Sequence, residues 1–260
     1  MNNLCKLTVS ALTLILSAFV VSTVVRADDI DLFLGSVGGT VNAPNIIFLI
    51  DNSANWSRSA QHWPDNGGTQ GAAELAAVKG VLNQINSTRP ANVGLAMLSS
   101  YSGPTGNGAT AGSGGGYIRF GVRDMTVAAN KLALQTILQN IDPNSSAEKV
   151  STASKDEDAA FYEIYKYLSG LPTFNGPANQ NALADVAGNV QTLSGAGQHL
   201  TSGFALGSGG VYQSPINSGA PCAATYIIYI ANNANNFGSN GQPAYQSTIA
   251  NVNPSWTSFP

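Results

Sequence analysis

Charged side chains are scarce in this chain of 260 residues. Lysine and arginine together number 11, aspartate and glutamate number 14, and the formal net charge is −3. The basic residues form no cluster, whereas a surface that binds nucleic acid concentrates Lys and Arg along one face. The composition therefore predicts that nucleic acid is not a partner.

Cysteine is also scarce, with only Cys5 and Cys222. Cys5 lies in an N-terminal segment that we expect to be removed, which would leave Cys222 alone. A single cysteine is unusual in an oxidising compartment. Two interpretations stay open: Cys222 is a buried free thiol beside a strand, or its partner lies in sequence that this chain lacks.

Motifs of catalysis are missing as well. The sequence has no Gly-x-Ser-x-Gly elbow, no Walker loop and no complete Gly-x-Gly-x-x-Gly after a strand. The acidic run Asp156-Glu157-Asp158 begins a predicted helix, where carboxylates more often satisfy the first N–H groups and the helix dipole. We predict no catalytic residue and no enzymatic activity.

Only one long apolar run occurs, from Leu7 to Val25. One lysine precedes it, and Val25 and Ala27 place small residues at the −3 and −1 positions of a cleavage site. A membrane anchor is the alternative, since the run is near spanning length. The favoured interpretation is a signal peptide over residues 1–27, which predicts export to the periplasm or outer surface and no transmembrane segment in the mature chain.

The rest of the chain is predicted to be a lead-in arm, residues 28–44, and one α/β domain, residues 45–260. Strands and helices alternate, which is typical of a mainly parallel sheet with helices on both faces. The predicted elements are strands at 45–51, 92–99, 117–123 and 226–231, and helices at 72–85, 126–141, 157–168 and 244–251.

Three elements carry finer expectations. Strand 117–123 alternates Arg with apolar residues, which predicts a half-exposed, antiparallel edge strand. Strand 226–231 is continuously apolar, which predicts burial on both faces. Helix 157–168 is expected to face the core with Phe161, Ile164, Tyr165 and Leu168. Between them, residues 171–224 are expected to be irregular, with a weak helix near 181–190.

The loop Asp51-Asn52-Ser53-Ala54-Asn55 follows the first strand and resembles the Asp-x-Ser-x-Ser loop of a metal-ion-dependent adhesion site. Alternate side chains of a tight loop point inward, so Asp51, Ser53 and Asn55 would supply oxygen ligands to one ion. Mg²⁺ and Ca²⁺ prefer such ligands. In a parallel sheet, ligands bind at this end of the strands.

A site of this kind also needs oxygen ligands from two more loops, and both are altered here. In the loop before helix 157–168, Lys155 stands at the ligand position, with Asp156 beside it. After the last strand, Asn232 and Asn233 stand where an acidic residue is expected. An added ammonium group and a lost carboxylate both reduce the attraction for a cation. The site is therefore degenerate. A bound Mg²⁺ or Ca²⁺ is one interpretation, and the favoured one is that Asp51 and Ser53 only cap the loop through hydrogen bonds.

Three aromatic residues are candidates for contacting a partner. Trp56, Trp63 and Tyr101 lie in loops at the predicted rim, and exposed aromatic side chains often anchor interfaces. The alternative for each is packing within its own loop.

Four segments of the chain resemble, in order, segments of the PilY-type tip proteins of type IV pili. They are Asp29–Phe33, Pro44–Trp56, Phe161–Gly170, and Tyr212–Ile216 followed by Cys222 and Tyr226–Ile230. The resemblance implies a von Willebrand factor A-like domain at the pilus tip, with minor pilins and a surface ligand as partners. It further implies roles in pilus biogenesis, surface adhesion and twitching motility. Family members continue into a β-propeller, so we expect this chain, which stops at Pro260, to be a fragment.

A second functional class shares the same fold. A free-standing, secreted, metal-ion-dependent adhesin would bind host or matrix protein through the loop at Asp51. That function requires a working ion site, whereas the pilus function does not.

Overall fold

The structure is a computed structural model that describes residues 42–53, 55–59, 68–100, 114–150, 157–176, 178–186, 203–207, 209–216 and 223–231. All of these residues belong to one compact unit. The strands are β1 (Asn45–Ile50), β2 (Asn92–Ser99), β3 (Gly115–Asp124) and β4 (Thr225–Ile230). The helices are α1 (Gln70–Gln84), α2 (Ala128–Asn140), α3 (Glu157–Ser169) and a 3₁₀ helix (Ala178–Leu183).

The four strands form one mixed sheet in the order β3-β2-β1-β4. β1 is parallel to both β2 and β4, and β3 is antiparallel to β2. The prediction of a mainly parallel sheet with one antiparallel edge strand is therefore confirmed. The parallel pairing brings the carboxyl ends of β1, β2 and β4 to one rim of the sheet.

Apolar side chains of β1 alternate between two cores, as the pleat of a strand requires. Phe48 and Ile50 belong to a core with α1 and α2, whereas Ile47 and Leu49 belong to one with α3. Helices therefore lie on both faces of the sheet. β4 follows the same alternation, since Ile230 packs against the first core and Tyr229 against the second.

Helix α1 begins two residues before its predicted start. Thr69 is its N-cap, and the Thr69 hydroxyl accepts a hydrogen bond from the Ala72 backbone N–H at 3.1 Å. Inside the helix, Leu75, Val78 and Leu82 face the core. The cap satisfies one of the N–H groups that the first turn leaves without a helical acceptor.

The predicted core stripe of α3 is confirmed for three of its four residues. Ile164 is buried, and the partly buried Phe161 and Leu168 pack against the same core. Tyr165 is only partly buried, and Ala160 and Tyr167 lie inside as well. The cause is close contact with β3. A Cβ atom on Gly116 would come within 2.7 Å of the Ala160 Cβ, so the helix turns its smallest side chain toward the strand.

The expectation that β3 is half exposed is wrong. Its first seven residues are buried, and Arg119 is only 6% exposed. Arg119 pairs with Glu148 at 2.8 Å, and Arg123 pairs with Asp185 at 2.9 Å. The arginines are buried because carboxylates from the two segments that cover the strand neutralise them.

The expectation that β4 is buried on both faces is also wrong. Ile227 and Ile228 point to opposite faces, and they are 38% and 43% exposed. β4 pairs with β1 on one side, and among the described residues no strand pairs with its other side. The helix predicted at 244–251 lies outside the described residues.

Irregular structure after α3 is as expected among the described residues. A 3₁₀ helix occupies Ala178–Leu183 and overlaps the start of the weak helix predicted near 181–190, of which residues 187–190 lie outside the described residues. Isolated bridges join Pro172 to Val211 and Leu206 to both Val186 and Tyr212. This segment therefore folds back on itself as it crosses β3 and α3.

Candidate functional site

The loop after β1 is closed by its own side chains. Asp51 and Ser53 are both fully buried. The Asp51 Oδ1 atom accepts hydrogen bonds from the Ser53 backbone N–H at 3.0 Å and from the Ser53 hydroxyl at 2.5 Å. An aspartate that binds the N–H group two residues ahead forms an Asx turn, which fixes the exit of the chain from the strand. Asp51 and Ser53 are thus brought together as the sequence predicted.

Asn52, which is not among the predicted ion ligands, ties this loop to two other segments. Its Oδ1 accepts from the Leu98 backbone N–H at 2.9 Å, and its Nδ2 donates to the Leu98 carbonyl at 3.2 Å. The same Nδ2 donates to the Glu148 carbonyl at 2.5 Å. These partners stand 46 and 96 positions away in the sequence, so no local pattern marks the role of Asn52.

The segment that leads to the second predicted ligand loop runs beside the first. Val150 forms a parallel bridge with Ser53, and its backbone N–H donates to the Asn52 carbonyl at 3.1 Å. Lys149 donates from Nζ to the Ser57 hydroxyl at 2.8 Å. The loop after β1 and the chain before residue 151 therefore meet at the rim.

Of the six predicted ion ligands, Asp51, Ser53 and Asn55 lie in the described part of the chain. Asn55 is partly buried, and its backbone carbonyl accepts from the Arg58 N–H at 2.7 Å. Asp156, Asn232 and Asn233 lie outside the described residues, as does Lys155. Within the described ranges, no three His, Cys, Asp or Glu side chains converge closely enough to hold a metal ion.

Trp56 is fully buried, which corrects the prediction that it contacts a partner at the surface. Its indole N–H donates to Glu74 Oε2 at 3.0 Å. A Cβ atom on Gly71 would come within 2.6 Å of the indole ring, so the ring packs directly on the first turn of α1. Trp56 is a core residue because its loop folds back onto that helix. Trp63 and Tyr101 lie outside the described residues.

Glu74 is the titratable partner of this tryptophan. Its Oε1 accepts from Gln70 Nε2 at 2.8 Å while Oε2 accepts from Trp56. Burial raises the pKa of Glu74 to about 7, and the nearby charge of Asp51 acts in the same direction, against the lowering effect of the two hydrogen bonds. No local pattern marks this carboxyl group, which stands 18 positions from Trp56 in the sequence.

Two more carboxylates belong to the same rim. Glu157 and Asp158 open α3, and both are buried. Burial raises the pKa of the Tyr229 hydroxyl far above its ordinary value, and the charges of Asp51, Glu157, Asp158 and Glu74 raise it further. The end of β1 and the starts of α1 and α3 therefore place four carboxyl groups where each acts on one phenol.

Comparisons with known proteins gave no relative: no family model matches the chain, and no curated protein or solved structure is significantly similar to it. The resemblance to PilY-type proteins therefore stays a hypothesis. In the described part of the chain, no helix has both the length and the apolar character that a membrane span needs. The predicted signal peptide, residues 1–27, and residues 28–41 of the arm lie outside the described residues, as does Cys222.

Proposed function

We propose that this chain is the von Willebrand factor A-like domain of a PilY-type type IV pilus tip or assembly protein. In this proposal the domain is not an enzyme. It acts at the pilus tip with minor pilins and contributes to pilus biogenesis, surface adhesion and twitching motility. The observation that carries the proposal is the sheet order β3-β2-β1-β4, with an antiparallel edge strand and the Asp51–Ser53 turn at the end of a central strand.

The position of that turn supports a binding role. Because β1, β2 and β4 are parallel, their carboxyl ends open at one rim, which is where open α/β sheets bind their partners. Asn52 and the bridge between Ser53 and Val150 hold three segments of this rim in fixed positions. A rim built on buried anchors can present its loops to another protein without rearranging.

Deleting the gene in its own piliated host tests the proposal. We expect fewer surface pili, weaker attachment and reduced twitching, all restored by the wild-type gene in trans. If the protein promotes assembly against retraction, blocking retraction will restore surface fibres in the deletion strain. Copurification of the tagged protein with minor pilins is the expected biochemical result. Normal piliation, attachment and twitching in the deletion strain would contradict the proposal.

The second candidate is a secreted metal-ion-dependent adhesin. The contact between the Asp51 carboxylate and the Ser53 hydroxyl favours it, together with the carboxylates of Glu157 and Asp158 at the same rim. Isothermal titration with Mg²⁺, Mn²⁺ and Ca²⁺ distinguishes the two functions. Micromolar binding that Asp51→Ala abolishes would favour the adhesin.

Asp124→Ala is the matched control for that titration. Asp124 Oδ1 accepts from the Thr126 backbone N–H at 2.8 Å and from the Thr126 hydroxyl at 2.7 Å, so it forms the same kind of turn as Asp51 on an exposed surface. Loss of binding in both variants would indicate a general effect of removing a turn aspartate. No binding by the wild-type protein would rule out the adhesin.

A further inference from the structure

Three segments of the chain fit the acceptor motif for N-linked sugars, which is an asparagine followed two positions later by serine or threonine, with no proline between them. They are Asn55-Trp56-Ser57, Asn86-Ser87-Thr88 and Asn144-Ser145-Ser146. All three lie in described parts of the chain. A motif this short also occurs by chance, so exposure and conformation decide which copy is accessible to a sugar-transferring enzyme.

The copy at Asn55 is closed. Trp56 at its centre is fully buried, and Asn55 and Ser57 are only partly exposed. The Ser57 hydroxyl accepts a hydrogen bond from Lys149 Nζ at 2.8 Å. An enzyme that bound this segment would have to pull the indole out of the core, so we expect no modification of Asn55 in the folded chain.

The copy at Asn86 is open and already turned. Asn86, Ser87 and Thr88 are all exposed, and they lie in the tight turn 86–89 between α1 and β2. The Asn86 Oδ1 atom accepts from the Thr88 hydroxyl at 2.6 Å and from the Thr88 backbone N–H at 2.9 Å. The two side chains that define the motif therefore touch each other at the surface, and no part of the core has to open to expose them.

The hydrogen bonds of the turn also prepare the Asn86 amide for reaction. The Arg89 backbone N–H is a third donor to Asn86 Oδ1, at 3.1 Å. Donors on this oxygen favour the deprotonated amide, and an acceptor asparagine must lose a proton from Nδ2. Asn86 Nδ2 donates to the Gln84 carbonyl at 3.2 Å, which uses one of its two N–H groups.

The copy at Asn144 is exposed as well, but other residues shape its turn. The Asn144 backbone N–H donates to Asp142 Oδ1 at 2.9 Å, and the Ser145 hydroxyl accepts from the Ala147 N–H at 3.2 Å. Asn144 and Ser146 are both exposed. This copy is therefore matched to Asn86 in sequence and exposure and differs from it in the contacts of the turn.

We propose that Asn86 is an acceptor for an N-linked sugar, independently of the pilus function. The donor is an activated sugar whose anomeric carbon carries a diphosphate. A bond forms between Asn86 Nδ2 and the anomeric carbon, and the bond from that carbon to the phosphate oxygen breaks. The diphosphate carrier leaves with the electron pair, and the Nδ2 proton passes to a base of the transferase. No oxidant or reductant takes part.

A sugar at Asn86 would lie far from the candidate binding rim. α1 begins against the loop after β1, where Gly71 meets the Trp56 ring, and its 15 residues carry the chain about 22 Å away. β2 is parallel to β1 and so runs back from the turn toward the rim. The sugar would therefore leave the loops of the rim open to a partner.

Peptide mass spectrometry of the protein purified from its own host tests the proposal. We expect peptides that contain Asn86 to carry added hexose or N-acetylhexosamine, and Asn86→Gln to remove the added mass. Thr88→Ser should keep the sugar, because serine also supplies the hydroxyl, whereas Thr88→Ala should abolish it. Asn144→Gln is the control, since it removes an exposed asparagine of the same motif and should leave the sugar in place.

Unmodified Asn86 in protein from the host would overturn the proposal, and so would a sugar on Asn144 or Asn55 in its place. Undiminished modification of Thr88→Ala would also contradict it, because the motif would then not be what the transferase recognises. A chain without residues 1–27, the predicted export signal, distinguishes the two sources of donor. A sugar that persists indicates a nucleotide diphosphate donor inside the cell, and one that disappears indicates a lipid diphosphate donor reached during export.

Discussion

β3 and β4 form the two edges of the described sheet, and they are covered to very different extents. β3 carries Arg119 and Arg123, yet seven of its ten residues are buried. β4 has no charged residue, yet none of its six residues is fully buried. Burial at the edges therefore depends on what packs against a strand, and the polarity of the strand itself decides little.

Polar groups cover the outer edge of β3. Asp185 Oδ2 accepts from the Gly121 N–H at 2.6 Å, and the Asp185 N–H donates to the Ile118 carbonyl at 2.9 Å. The Tyr167 hydroxyl accepts from the Val122 N–H at 2.8 Å. These contacts satisfy backbone groups that an open edge would present to another chain. β4 shows no comparable cover among the described residues.

The segment that covers β3 is itself anchored by Glu163 of α3. This fully buried carboxylate accepts from the Tyr212 hydroxyl at 2.7 Å and from the backbone N–H groups of Phe174, Asn175 and Gly176 at 2.9 to 3.2 Å. Burial raises the pKa of Glu163, and the four donors act against that rise.

Removing this anchor should have the largest effect on the covered edge. We expect Glu163→Ala to lower the free energy of unfolding by about 4 kcal/mol, because four buried donors lose their acceptor together. Urea titration followed by circular dichroism measures the change. Glu163→Gln keeps one acceptor oxygen and should lose about half as much. A loss below about 1 kcal/mol in Glu163→Ala would show that the segment does not depend on this anchor.

Breaking the buried ion pair of β3 should come next. We expect Arg119→Ala to destabilise the protein by about 3 kcal/mol, because the Glu148 carboxylate stays buried without its cation. The double variant Arg119→Leu with Glu148→Leu removes both charges and should lose less than Arg119→Ala alone. A larger loss of stability in the double variant would mean that the ion pair itself stabilises the edge. The cost of leaving one charge buried alone would then not be the main effect.

The features that could be predicted from the sequence are those whose physical cause lies within a few residues along the chain. The bounds of β2 and the alternation of elements followed from apolar patterns, and the turn at Asp51 followed from residues two apart. The burial of Arg119 depends on a carboxylate 29 positions away, and that of Arg123 on one 62 positions away. Trp56 is predicted at the rim because its hydrogen-bond acceptor, Glu74, lies on the next helix, where no pattern near Trp56 reveals it. β1 and β4 have nearly the same apolar pattern, so the sequence could not tell a central strand from an edge.

Packing of α3 on β3 should give a smaller effect. A Cβ atom on Gly116 would come within 2.7 Å of the Ala160 Cβ and 2.8 Å of its Cα, and the Cα belongs to a helix that cannot move alone. We expect Gly116→Ala to lower the free energy of unfolding by about 2 kcal/mol. Gly80→Ala is the control, because nothing lies within 4 Å of the added Cβ. It should stabilise α1 by about 0.5 kcal/mol. Equal behaviour of the two variants would contradict the close contact.

The smallest effect is expected at the exposed edge. Ile227 is the register partner of Ile47, and the two side chains lie on the same face, but Ile47 is only 1% exposed. Ile47→Thr should destabilise the protein by about 2 to 3 kcal/mol, through lost packing and a buried hydroxyl. Ile227→Thr should change stability by less than about 1 kcal/mol, because its side chain is 38% exposed and threonine suits a strand. Thermal unfolding of both variants in one buffer makes the comparison. Equal losses would show that β4 is covered in solution as fully as β1, and the contrast between the two edges would then disappear.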